Sequence, residues 1–168
     1  MIKLDRIGHV VLKVRDLDRA TAFYSELLGL KVMATGRYPG GLVVRFLAAN
    51  ARDHHELALM EVGPDAADPP PTGVGLAHFA FRVPDHEALE DAYNQLKESG
   101  VPVHFTVNHG VCSAVYLQDP DGHQLEVYAD NAPAEWEQMD NPYEGMEGLP
   151  FATAEPSLRD VMTAPSSA

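Results

Sequence analysis

Hydrophobic positions along this chain follow two periods in turn, and the succession occurs twice. From Ile7 to Val14 apolar and β-branched residues crowd together as in a buried strand. From Asp16 to Gly29 the spacing turns helical, with Leu17, Ala20, Phe23, Tyr24, Leu27 and Leu28 on one broad face and Gly29 as the stop. Strands are predicted next at about 31–36, 42–48 and 56–62, parted by the turn-forming runs Pro39-Gly40-Gly41 and Asn50-Ala51-Arg52-Asp53. Residues 1–62 therefore read β-α-β-β-β. Pro64, Pro69, Pro70 and Pro71 mark 63–74 as an exposed linker. The same order then returns: a strand at 76–83, a helix over 85–99 with Gly100 behind it, and strands near 103–107, 112–118 and 124–129. Asp119-Pro120-Asp121-Gly122 forms the turn between the last two.

The predicted class is α+β, with two tandem βαβββ modules, 1–62 and 75–130, making one domain. Neither half can close a barrel alone, so a shared curved mixed sheet around a common concave surface is expected. After Asp130 the periodicity ends. Residues 131–168 are rich in proline, acid and small side chains, the composition of a tail. Trp136, Met139, Tyr143, Met146, Leu149 and Phe151 are too apolar for a purely solvated segment, so order is expected to about 151; beyond Thr153 no such reason is visible.

Composition narrows the classes. A length of 168 residues suits one ordinary domain, and 45% hydrophobic with 22% charged residues is ordinary for a globular protein. No apolar run reaches the length of a membrane span, and the N-terminal residues lack the apolar core of a signal peptide, so a cytoplasmic location without membrane attachment is expected. Cys112, the single cysteine, excludes an intrachain disulfide and a cysteine-based zinc site. The formal charge is -13, to which seven acids and one base after residue 130 contribute, and no basic stripe is left to neutralise phosphates. Nucleic acid is not an expected partner.

The repeat also carries chemistry. Gly8-His9-Val10 is answered 69 residues later by Ala77-His78-Phe79, one histidine per module at the same place. Together with Phe23-Tyr24-Ser25-Glu26-Leu27-Leu28-Gly29-Leu30, His54-His55-Glu56-Leu57-Ala58-Leu59 and Tyr116-Leu117-Gln118-Asp119-Pro120-Asp121-Gly122-His123-Gln124-Leu125-Glu126, these motifs resemble the vicinal oxygen chelate superfamily. Within it they are most similar to the small type I extradiol ring-cleaving dioxygenases, over about residues 5–130. The resemblance implies metal ligands at His9, His78 and Glu126. Two neutral imidazoles and a carboxylate on one face of a metal suit non-haem Fe(II), with Mn(II) as an alternative. Glu126 lies between Leu125 and Val127, where an unpaired carboxylate would be costly to bury and a metal would compensate it. Strand alternation groups Gln124, Glu126 and Tyr128 on one face. A fixed offset of 69 residues sets Glu126 against Leu57, so only one module holds the carboxylate.

By the same resemblance His55, His109 and Tyr116 surround the metal without binding it. The implied activity is extradiol cleavage of a catechol-type diol with O2, in aromatic compound degradation. His55 would assist proton transfer, and His109 and Tyr116 would hydrogen-bond the substrate. His54, His86, His104 and His123 are read as solvated or turn histidines. Phe46, Phe105 and Val107 are candidates for the pocket wall, and association into a homo-oligomer is expected. Two alternatives stay open: a glyoxalase-like lyase or epimerase on a redox-silent metal such as Ni(II) or Zn(II), with Glu61 as a candidate fourth ligand, and a binding protein that sequesters a flat aromatic drug.

Overall fold

The computed structural model describes residues 1–49, 53–70 and 73–164, so Asn50, Ala51 and Arg52 of the expected turn and Pro71 of the linker lie outside the described residues. The chain divides into two compact units, Met1–Val74 and Gly75–Ala168. Each contains one βαβββ module with its own four-stranded mixed sheet. Among the described residues no helix is long and apolar enough to cross a membrane.

In the first unit β1 (Val10–Val14) leads into α1 (Leu17–Ala22), which runs on as a π turn over Phe23–Leu27. Asp16 caps α1 by accepting from the amides of Asp18 and Arg19, and Gly29 leaves the turn at φ +74°. Then come β2 (Lys31–Arg37), β3 (Val43–Ala48) and β4 (Leu57–Glu61), in the sheet order β1-β4-β3-β2 with β1 parallel to β4. Leu12, Val14, Leu57 and Leu59 are buried together with Leu17, Ala20 and Tyr24, which places them on the face that the helix covers. Val11 alternates to the other face and is exposed.

The second unit repeats the arrangement with β5 (Phe79–Arg82), α2 (His86–Glu98), β6 (Val103–Asn108), β7 (Cys112–Gln118) and β8 (Gln124–Asp130), in the order β5-β8-β7-β6. Leu89, Tyr93 and Leu96 of α2 are buried, as are Leu125, Val127 and Ala129 of β8. Both first strands are shorter than the sequence pattern predicts. β1 begins at Val10, where Glu56 O accepts from its amide, and β5 begins at Phe79; beyond these points the ladders to β4 and β8 give no further pairs. His9 and His78 therefore each stand one residue ahead of a strand.

The tail does not end its contacts at Phe151. After α3 (Pro133–Trp136) it reaches the outer edge of β6, whose Asn108 and Thr106 amides donate to Glu147 O at 2.7 Å and Pro156 O at 3.0 Å. Phe151 packs on Tyr93, and the Glu155 carboxylate pairs with Lys97. A final helix, α4 (Leu158–Thr163), is capped by Ser157 and Asp160 in a reciprocal box. An edge strand exposes unpaired backbone groups, and here the tail satisfies them.

Candidate metal centre

In the second unit the ladders place four strands' side chains in one row. Phe105 pairs with Tyr116, Tyr116 with Glu126, and Glu126 with Ala80. His78 shares the parity of Ala80, and its Nε2 lies 3.2 Å from Glu126 Oε2. The Glu126 side chain is only 9% exposed, whereas the helix-facing positions beside it, Leu125 and Val127, are fully apolar. The phenol of Tyr116 stands beside this carboxylate, Tyr116 being its ladder neighbour. Its oxygen is also 3.3 Å from His109 Nε2, and its ring stacks on Phe105 with centroids 4.3 Å apart. Burial, with Glu126 beside it, pushes the Tyr116 phenol far above its ordinary value, so it stays a proton donor.

His109 is held by its backbone. Its amide donates to Cys112 O at 2.8 Å, and Gly145 donates to its carbonyl at 3.2 Å. The turn behind it passes through Gly110 at φ +97°, where a Cβ would collide with Pro142 O. Asn131, 4% exposed at the end of β8, secures this turn. Its Nδ2 donates to Asn108 Oδ1 at 2.9 Å and to Gly110 O at 2.6 Å, while its Oδ1 accepts from Ser113 Oγ at 3.0 Å and from His86 Nε2 at 2.9 Å. Neither Asn131 nor the enclosure of His109 by residues 142–145 has a sequence pattern that would announce it.

In the first unit the His9 ring lies 4.5 Å from that of His55, and Phe46 meets His55 edge-on at 4.9 Å. His54 Nδ1 contacts His55 Nδ1 at 2.5 Å, so one of the two donates to the other. Burial, His54 and His9 lower the pKa of His55 and favour its neutral form. An Arg6–Asp53 ion pair ties the N-terminal segment to the loop that carries these histidines.

Two readings of the repeat are corrected by the ladders. Ala80 pairs with Glu126 and its counterpart Val11 pairs with Ala58, so the position equivalent to Glu126 is Ala58, while Leu57 faces the helix. Glu61 is also turned to the helix side: its Oε1 accepts from the Leu17 amide at the start of α1, at 3.3 Å. It is a helix-terminal acceptor there and not a partner of His9. Of the remaining histidines, His123 pairs with Asp119 within its turn at 2.9 Å, and His86 belongs to the Asn131 network.

Among the described residues no three His, Cys, Asp or Glu side chains gather closely enough to hold a metal ion. The second unit nevertheless supplies a pair suited to one, an imidazole nitrogen against a buried carboxylate oxygen, with a phenol on the neighbouring strand beside the carboxylate. The donor chemistry of this pair fits a divalent metal.

The profile of the Glyoxalase/Bleomycin resistance protein/Dioxygenase superfamily matches residues 6–127. The chain is 36% identical over 129 residues to biphenyl-2,3-diol 1,2-dioxygenase 3 of Rhodococcus globerulus, covering 75% of this chain and 64% of that protein's length. It is also 32% identical over 149 residues to glutathione transferase FosA of Serratia marcescens, covering 85% and 94%. Among solved structures, a glyoxylase/bleomycin resistance protein/dioxygenase domain from Frankia sp. EAN1pec superposes with a TM-score of 0.67 at 24% identity, over 77% of this chain and all of that one, a likeness of fold alone.

Proposed function

The chain belongs to the Glyoxalase/Bleomycin resistance protein/Dioxygenase superfamily, and from that premise we propose that it is an Fe(II)-dependent extradiol dioxygenase that opens a catechol-type ring with O2. The observation that carries this reading is the run of contacts from His78 through Glu126 and Tyr116 to His109, a ligand pair joined directly to two proton-handling groups. His9, His78 and Glu126 would hold the metal. Bound there, Fe(II) would acidify a chelating diol and supply the redox chemistry that a reaction with O2 requires.

The chain's own residues would do the rest. Tyr116 would stay protonated and able to donate a hydrogen bond to the substrate, with its ring plane fixed by the stacked Phe105. His109 Nε2, next to the Tyr116 oxygen, can take or return a proton at that atom. His55, favoured in its neutral form, can accept a proton from a diol hydroxyl. Val107 and Ala114, fully buried beside Tyr116, help keep water away from the phenol.

Relatives named as a glutathione transferase and a probable lactoylglutathione lyase support a second reading, transferase- or lyase-type chemistry in place of ring opening. The position of Glu61 at the start of α1 counts against its use as a fourth ligand there. Anaerobic reconstitution with Fe(II), followed by catechol and then O2, separates the two. A yellow ring-opened product with matching oxygen uptake is expected. Turnover of a hemithioacetal with Ni(II) or Zn(II), and of no catechol with Fe(II), would overturn the proposal.

A further inference from the structure

The tail outside the span matched by the superfamily profile, 6–127, reaches the same face as the candidate site. Val107, Ala114 and Tyr116 form a buried cluster on that face, flanked by Phe105 and Tyr128, and Leu158 of α4 packs against it from outside the sheet. The helix is fixed there on several sides. Thr106 bridges to Ser157, the Arg159 amide donates to Met146 O at 3.1 Å, and the Arg159 guanidinium pairs with Glu147 at 2.5 Å. Lys97 and Tyr93 of α2 hold Glu155 just before it. Val161 and Met162, three and four residues beyond Leu158 and so on the same side of the helix, remain 44% and 67% exposed. An apolar helix face therefore begins on the tyrosine cluster and continues past it.

We infer that α4 is the size-determining wall of the diol site: Leu158 stands where the substituent of a substituted catechol would extend beyond Phe105 and Tyr116. This rests on the reading that Tyr116 and Glu126 belong to that site. A wall of this kind acts on the difference between two substrates, not on the reaction common to both. One side chain's worth of apolar contact in a pocket discriminates by about tenfold or more.

The test compares catechol with 3-phenylcatechol in the wild-type protein, Leu158→Ala and Leu158→Trp. It uses two readouts: kcat/KM of the Fe(II)-loaded protein, and anaerobic equilibrium affinity by calorimetry. Leu158→Ala is expected to move both ratios about tenfold toward 3-phenylcatechol, and Leu158→Trp to move them toward catechol. Loss of folded protein lowers both diols together and cancels from each ratio, so Leu158→Ala decides the matter alone if the tryptophan variant fails to fold. Unchanged ratios overturn the wall and leave the dioxygenase reading standing. If the wild-type protein neither opens nor binds either diol, the reading falls and the wall with it.

Discussion

Asn131→Ala tests whether the position of His109 is built or incidental. The side chain is 4% exposed and makes four hydrogen bonds, to Asn108, Gly110, Ser113 and His86. Truncation leaves the Gly110 carbonyl and the buried Ser113 hydroxyl without their partner, while Asn108 is only partly buried, His86 is exposed, and both can turn to water. A buried polar group that loses its partner costs about 1–3 kcal/mol, so two of them place the loss at about 3 kcal/mol. For a chain of this size that corresponds to a fall in melting temperature of about 6–12 °C. Urea titration followed by circular dichroism gives the free energy. Hydrogen exchange locates it: the amide of Val111, which donates to Pro142 O, should lose protection, while Leu59 in the first unit should not. A loss below about 1 kcal/mol, or one spread evenly over both units, would refute the view that Asn131 clamps the turn behind His109.

Three further outcomes are expected. Tyr116→Phe keeps the ring against Phe105 but removes the hydroxyl next to His109 and beside Glu126, so kcat should fall by about 10²–10⁴ with KM little changed; an unaltered kcat would remove Tyr116 from the chemistry. Glu126→Gln keeps the shape and removes the charged ligand, and bound iron measured after dialysis should fall at least tenfold while the melting curve stays within a few degrees; full iron content would place the metal elsewhere. Burial, with Glu126 and Asp130 nearby, pushes the Cys112 thiol up to about 11, so at pH 8 only about one part in a thousand is thiolate. Alkylation by iodoacetamide should be slow until the chain is unfolded. Because the folded value lies above the unfolded one, Cys112 favours the fold fully below about pH 8.5 and loses that contribution as pH rises toward 11.

The order of elements was legible because each one has a strong period: α2 and β7 fall within a residue or two of their predicted bounds. The face of Glu126 was legible from alternation alone. The exact equivalence of the two modules was not, since the repeat drifts. Val11 and Ala80 are 69 residues apart, Phe46 and Tyr116 are 70, and Ala58 and Glu126 are 68, so a single offset taken from the histidines misses the last strand by one position. The surroundings of His55 were not legible from alternation either. His55 precedes β4 in an irregular turn, where alternation does not hold, and its ring lies against His9 and Phe46 all the same. The folded end of the tail was hidden because its large apolar residues, Leu158, Val161 and Met162, span little more than one helical turn. Its anchors are backbone bonds to a strand edge and the pairing of Glu155 with Lys97, which leave no periodic trace.

The corrected register also shows how small a difference makes the modules unlike. Phe46 pairs with Ala58 in the first sheet, where Tyr116 pairs with Glu126 in the second. At those two equivalent positions one module has a phenyl ring and a methyl group, and the other has a phenol and a carboxylate. A carboxylate in such a strand is costly without polar groups around it, and Tyr116 and His78 are the polar groups beside it. The hydroxyl and the carboxylate therefore form a pair in which each accounts for the other, and the first module lacks both. His9, the counterpart of His78, meets His55 and not an acid in its own unit. The duplicated fold supplies two histidine positions, and only the one beside the Tyr116–Glu126 pair has a buried carboxylate in reach.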